Sequence, residues 1–366
     1  MNRKIFVVWL LVAALMLTAR VSAAGKTDKK LPDPSGKPAD MSKPVQVYIL
    51  LGQSNMVGAG KIRPENKEGT LEHATKQEDK YPYLVDEDGN WTVRKDVRYV
   101  RVMGSGGPGK TRHFNNEFMT VKGGRIGPEL GIGHVVGHVV DAPVMILKSC
   151  IGNRSLGWDL LPPGSVRYEV TEKDRKSGEM KTYVYAGYGD SPSKWEKGTD
   201  PKPIGWKAGC QYDGDVARAK DVLSNLEKYY PGAKDYEVAG FFFWQGDKDR
   251  YNKAHAERYE KNLVALIEAL RKDFNAPKAK FVCATLGQTE KGNAKGTEAD
   301  IIEAQLAVDG DKGKYPEFKG NVATVYTHPL SMGGASNGHY GGNAKTYMNV
   351  GEAMGWAMAD LITPKK

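Results

Sequence analysis

The sequence predicts an α/β domain of three layers, with helices on both faces of a central, mostly parallel sheet. Five apolar runs of strand length recur along the chain and alternate with helical patterns, as strand–helix units do. Most of these runs are continuously apolar, the mark of strands covered on both faces. The 366 residues are 40% hydrophobic and 27% charged, a balance that supports a core large enough to fold without disulfide staples.

The elements follow in order. "MNRK" is a short basic opening, and the 14 residues of "IFVVWLLVAALMLT" are apolar but short for a bilayer span. Small residues follow in "VSA", so residues 1–24 are expected to be a signal peptide cleaved near Ala23 or Ala24. Export would then end in the periplasm or the medium. No cysteine stands there to carry a lipid. Residues 25–44, rich in Lys, Pro and Asp, are expected to be a flexible linker. The domain is expected over 45–366.

Within it the strand-like runs are "VQVYILLG", "APVMILKSC", "YEVAGFFFWQG", "AKFVCATLG" and "NVATVYT". The helical patterns are "GPELGIGHVVGHVV", "DGDVARAKDVLSNLEKYYPG", "HAERYEKNLVALIEALRKDF" and "AKTYMNVGEAMGWAMADLI". The third carries an apolar stripe of Tyr259, Leu263, Leu266, Ile267 and Leu270, the last one of Tyr347, Val350, Met354 and Met358. The polar stretch 155–212 has two short alternating segments around "KDRKSGE" and reads as a β-hairpin insertion on the side of the site.

Charge and cysteine content exclude several functions. The net charge is +9, and removing Arg3, Lys4 and Arg20 with the signal leaves +6. The lysines are scattered, which argues against a nucleic-acid patch. No membrane partner is expected for the mature chain. Cys150, Cys210 and Cys283 are an odd set without a CxxC or Cys/His cluster, so neither a metal nor a cofactor is expected. "GSGGPGKT" matches the letters of a phosphate-binding loop, but no helix pattern follows it and Pro108 removes a donor. His134 and His138 stand four apart on a helical pattern without the Glu that zinc proteases place beside the first His.

Ligands of open α/β sheets gather at the carboxyl ends of the strands. That rule brings Ser54, Gly152 and Gln245 to one rim. Ser54 alone reads as a turn residue. A nucleophilic serine needs a base, a group to orient the base, and donors for the oxyanion. Gly152 and Asn153 offer amides, Gln245 a side-chain donor, Asp247 and Asp249 carboxylates, and His339 a base from the loop before the last helix. Met56 replaces the second glycine of the G-x-S-x-G elbow, so the α/β-hydrolase fold is not supported.

Together "GQSNM", "GPEL", "WQGD" and the His before the last helix resemble the sialate O-acetylesterase-like branch of the SGNH hydrolases, over roughly 45–362. The resemblance implies a flavodoxin-like fold and metal-free ester hydrolysis, typically removal of O-acetyl groups from sugars. It implies Ser54 as nucleophile, His339 as base, and an oxyanion hole of the Ser54 amide, Gly152 and Gln245. Many relatives carry Asp three residues before the His, where this chain has Ser336. Relatives with W-Q-G-E imply Asp247 as the acid, with Asp249 as second choice. The expected function is a secreted serine carbohydrate esterase acting through an acyl-enzyme on an acetylated carbohydrate. A glycan binder that lost catalysis, or a lipase or thioesterase of the same fold, are the alternatives. Trp244, Tyr183, Tyr185, Tyr188 and Trp195 read equally as sugar platforms or as packing.

Overall fold

A computed structural model describes residues 30–363 apart from 35, 110 and 175; the expected signal peptide lies outside the described residues. The strands are β1 (Val45–Gly52), β2 (Gly60–Lys61), β3 (Arg94–Met103), β4 (Arg112–Met119), β5 (Arg125–Ile126), β6 (Val144–Ser149), β7 (Tyr168–Lys173), β8 (Met180–Tyr185), β9 (Lys194–Glu196), β10 (Tyr236–Trp244), β11 (Lys280–Ala284) and β12 (Val322–Val325). The helices are α1 (Ser54–Val57), α2 (Leu71–Lys76), α3 (Glu129–Val139), α4 (Cys210–Ser224), α5 (Leu226–Tyr229), α6 (Lys253–Glu257), α7 (Tyr259–Asp273), α8 (Thr297–Ala307) and α9 (Ala344–Ile362). All belong to one unit, which starts at Pro32.

The main sheet runs β12-β11-β10-β1-β6-β3-β4. Every neighbouring pair is parallel except β3–β4. β1 sits at its centre, and its alternate residues Val45, Val47, Ile49 and Leu51 enter one core with the buried faces of α4, α7 and α8. The stripe expected on α7 is the face that is buried there. Each such Leu or Ile contributes on the order of 1.5–3 kcal/mol when fully covered. α3 and α9 pack against each other, α9 also on β11 and β12 and α3 on β3 and β6. The five expected strands and four helical segments are all present. In the main sheet β3 and β4 were not foreseen, because charged residues interrupt the apolar ones of β3 and the edge strand β4 is polar and largely exposed; the short strands β2, β5 and β9 and the helices α1, α2 and α8 were not foreseen either.

The residues after the phosphate-loop-like letters form β4, not a helix. The carbonyls of Gly106 and Gly107 accept hydrogen bonds from the Arg218 guanidinium at 3.3 and 3.0 Å, and the Gly106 amide is held by Gln211 Oε1. The loop therefore presents oxygens to a cation rather than amides to a phosphate. His134 is a core residue against Tyr83, with ring centroids 4.8 Å apart, and burial holds its pKa well below the ordinary value. The three cysteines are free and buried. Within 155–212, β7 and β8 form the expected hairpin, and β9 adds a third strand. The stretch 36–44 has no helix or strand, yet Lys43 near its end donates to the Asp141 carbonyl at 2.7 Å and carboxylate at 2.6 Å.

Candidate active site

β6, β1 and β10 are adjacent, and their carboxyl ends carry Gly152, Ser54 and Gln245. β1 ends at Gly52 with φ 143°, where a Cβ would lie 2.3 Å from the Trp244 carbonyl oxygen. Only glycine admits that approach. The Gln53 amide donates to the same carbonyl at 3.2 Å, and the chain turns into α1 with the half-buried Ser54 as its first residue. A first helical residue has no intrahelical partner for its N–H. Gly152 faces it: a Cβ there would be 3.4 Å from Ser54 Cβ and 4.0 Å from Ser54 N. Among the described residues neither amide donates to another group. Below α1, buried Lys148 donates to the Val57 carbonyl at 3.0 Å and pairs with Glu129 of the "GPEL" segment.

Gln245 and Asp249 serve this arrangement from beneath. Gln245 Nε2 stands 3.0 Å from Gln53 Oε1, 2.9 Å from the Arg154 carbonyl and 2.6 Å from Asp249 Oδ2, and its Oε1 accepts from the Tyr259 hydroxyl at 2.8 Å. Two hydrogens already face three acceptors. The donor expected for an oxyanion is thus spent inside the protein. Asp249 accepts from the Leu156 and Gly157 amides at 2.8 and 2.7 Å as well. It anchors the loop that follows Gly152. Burial pushes its pKa up to about 6, opposed by those donors. His255 Nδ1 is 3.8 Å from it, and burial pushes that imidazole down to about 4.

Asp247, two residues earlier, faces the histidine side. It is 5% exposed, accepts from Ser336 Oγ at 2.5 Å and Asn55 Nδ2 at 3.1 Å, and forms an ion pair with Arg250, whose Nε lies 3.3 Å away. Burial raises its pKa; Ser336, Arg250 and the nearby His339 pull the other way. Ser336 Oγ also meets the Gln288 amide. One hydroxyl proton cannot serve both, and Gln288 Nε2 is otherwise unpaired. Both are satisfied when the Gln288 nitrogen donates to Ser336 and Ser336 donates to Asp247. Ser336 thus ties the loop before His339 to a carboxylate in the turn after β10.

His339 is half-buried, in a turn where His339, Tyr340 and Gly341 all have left-handed backbones, with φ 53°, 51° and 62°. Such conformations at non-glycine residues store strain and cluster at functional sites. The Tyr347 hydroxyl of α9 lies 3.3 Å from both the His339 carbonyl and Asn55 Oδ1, and its one proton serves either. Among the described residues no hydrogen bond joins the His339 ring to Ser54 or Asp247. The fold therefore brings Ser54, Gly152, Asp247 and His339 to one rim, and draws Gln245 and Asp249 into the layer below.

Sequence reasoning missed Asn55, Gln53, Arg250 and Tyr347. Asn55 had a signal, as the polar residue directly after Ser54 and buried to 2% exposure. The aromatic candidates resolve toward packing. Trp244 is in the core, stacked on Tyr340 at 5.9 Å. Tyr185 is buried, Lys194 covers Tyr183, Tyr188 bonds Asp213, and Arg167 covers Trp195. The exposed aromatic at the rim is Tyr251, whose hydroxyl meets Asn337 at 3.1 Å.

No curated protein matches the sequence. Among solved structures, the chain is similar to a protein from Arabidopsis thaliana, with 17% identity over 86% of this chain and 98% of that one and a TM-score of 0.44. It is similar to a carbohydrate acetylesterase from Xanthomonas citri, with 12% identity over 86% of this chain and 55% of that one and a TM-score of 0.48. It is also similar to NanS, with 15% identity over 78% of each chain and a TM-score of 0.41. The family model described as "Carbohydrate esterase, sialic acid-specific acetylesterase" matches residues 170–360, which include Asp247 and His339 but not Ser54. That match spans more than half of the 366 residues, and the chain belongs to this sialic acid-specific acetylesterase family of carbohydrate esterases.

Proposed function

We propose that the protein is an exported serine esterase that removes O-acetyl groups from a carbohydrate through an acyl-enzyme. The observation that carries the reading is the pair of unspent amides at Ser54 and Gly152 beside a serine at the carboxyl ends of adjacent parallel strands. Ser54 Oγ attacks the acetyl carbonyl while His339 takes its proton. The oxyanion accepts from the two amides, each worth about 3 kcal/mol of transition-state stabilisation. Collapse expels the sugar oxygen, which takes the proton from His339, and water activated by the same imidazole releases acetate. Asp247 orients and steadies the imidazolium. Asn55 and Ser336 link that carboxylate to the nucleophile helix and to the histidine turn. His339 must swing into bonding distance of Ser54 when substrate binds, since such bonds often tighten only in the complex.

The test is hydrolysis of p-nitrophenyl acetate and of a panel of acetylated glycans by the mature protein, Ser54→Ala and His339→Ala. Both variants should lose at least about 10³-fold in kcat. The missing bond between His339 and Ser54 favours one other reading, a glycan binder without turnover. That reading stands if the mature protein matches Ser54→Ala on every ester while still binding glycan.

A further inference from the structure

A cleft of about 860 Å³ opens where the rim ends. It begins at Asn153 and Arg154, next to the glycine that touches Ser54, and passes between the β7–β8 hairpin and the turn after β10. Tyr251 stands in its wall, 60% exposed. One face of that ring carries the Arg250 guanidinium at 5.0 Å, and Arg250 also pairs with Asp247. Asn337, two residues before His339, donates to the Tyr251 hydroxyl. A sugar held at Ser54 thus has an anchored aromatic surface beside it and an open channel beyond.

The wall has six cationic side chains and three carboxylates. All three carboxylates are engaged. Asp159 accepts from the Ser155 amide and hydroxyl, Glu172 from Tyr185 and Lys194, and Asp174 from Tyr183 and the amides of Lys176 and Ser177. Lys173, Lys176 and Lys248 are exposed and, among the described residues, have no carboxylate partner. Three unpaired cations along one open channel attract anions in line, and field focusing in a cleft strengthens the effect.

We infer that this cleft binds an anionic polysaccharide, one bearing carboxylate or sulfate groups, and so selects charged polymers as substrates; the inference rests on the esterase reading for turnover but not for binding. Tyr251 supplies an apolar face to the sugar next to the acetylated one, and Lys173, Lys176 and Lys248 hold acidic groups further along the chain.

The probes share one backbone: dextran, carboxymethyl dextran and dextran sulfate, each plain and O-acetylated. In affinity electrophoresis the full mature protein should be retarded by one or both charged polymers and not by dextran. Lys173→Gln/Lys176→Gln/Lys248→Gln should abolish that retardation. Lys278→Gln/Lys312→Gln/Lys319→Gln, with equal charge loss at exposed positions outside the cleft, should keep it. On the acetylated polymers, the kcat/KM ratio of charged to neutral should be about tenfold or more at low salt. It should fall toward one in the cleft triple variant and at high salt. A preference for the carboxymethyl or the sulfated polymer tells which anion the cleft takes. Equal retardation by all three polymers, or equal loss in both triple variants, overturns the inference. Selective binding without hydrolysis of any polymer overturns the esterase reading and leaves the cleft standing.

Discussion

The two sides of the rim are built differently. The nucleophile side is fastened from below. Gly52 is locked against β10, Gln53 Oε1 takes the amides of Gly246 and Lys248, and Gln245 and Asp249 tie β10 to the loop after Gly152. The histidine side is a strained turn held by Ser336, Asn337 and Tyr347. On the proposed reading, the amides that would hold the oxyanion are fixed in advance on one side, while the proposed base stands in a strained turn on the other. Serine chemistry would need the first to be rigid and would tolerate adjustment in the second.

The sharpest test of that division is Asp247, a carboxylate touching both sides. Asp247→Asn is expected to lower kcat on p-nitrophenyl acetate by about 10³-fold, because an amide neither steadies an imidazolium nor pairs with Arg250. A loss under tenfold would mean that His339 works as a dyad with no acid. Gln245→Ala comes next. If Gln245 is a strut, the variant leaves Asp249, Gln53 and Tyr259 short of partners and loses about 3 kcal/mol or more in urea unfolding. If it is an oxyanion donor, stability holds and kcat falls by about 10²–10³-fold. The first outcome is expected from its bonds.

Much of this was legible in the sequence, and the reason differs by element. β1, β6 and β11, and β10 beyond Glu237, are buried along almost all their length, so their letters are nearly continuously apolar and announce themselves; the half-buried edge strand β12 is marked by its short VATV run. β4 is an exposed polar edge, and β3 is buried but interrupts its apolar residues with arginines: Arg94 and Arg98 are accommodated because Asp96, Asn116 and backbone carbonyls receive them, and no continuous apolar run marks such a strand. Ser54, Gly152 and His339 could be placed at one rim because strand ends and loop–helix junctions can be located in a sequence. The roles of Gln245 and Asp249 could not be, since a strand end fixes where a residue sits but not which way its polar atoms point. The Ser336–Asp247 contact joins residues 89 apart, a pairing that only the fold creates.

Asp249 separates strut from catalyst by pH. Its folded-state pKa, about 6, lies above the ordinary 3.8, so the folded protein holds this proton more tightly than the unfolded chain. The resulting stability is complete below about pH 4 and is lost as pH rises through about 6. Asp249→Asn removes the titration. The stability difference between the two proteins should therefore change by about 2–3 kcal/mol between pH 4 and pH 7 in urea unfolding. A constant difference would mean that Asp249 ionises as freely in the fold as out of it.

The smallest expected effect probes the pre-set side directly. Gly152 has no positive φ, and a methyl there would meet Ser54 Cβ at 3.4 Å, an ordinary contact that the fold can accept. Gly152→Ala should leave the melting temperature within about 1–2 °C of the parent, a change of under about 0.5 kcal/mol. The methyl nevertheless occupies space beside the two amides where an oxyanion would form, and a displacement of well under an ångström weakens such donors. A fall in kcat of about tenfold with KM little changed is expected on p-nitrophenyl acetate. An unchanged kcat would place the oxyanion elsewhere on the rim, and the Gly152 amide would then be a strand end like any other.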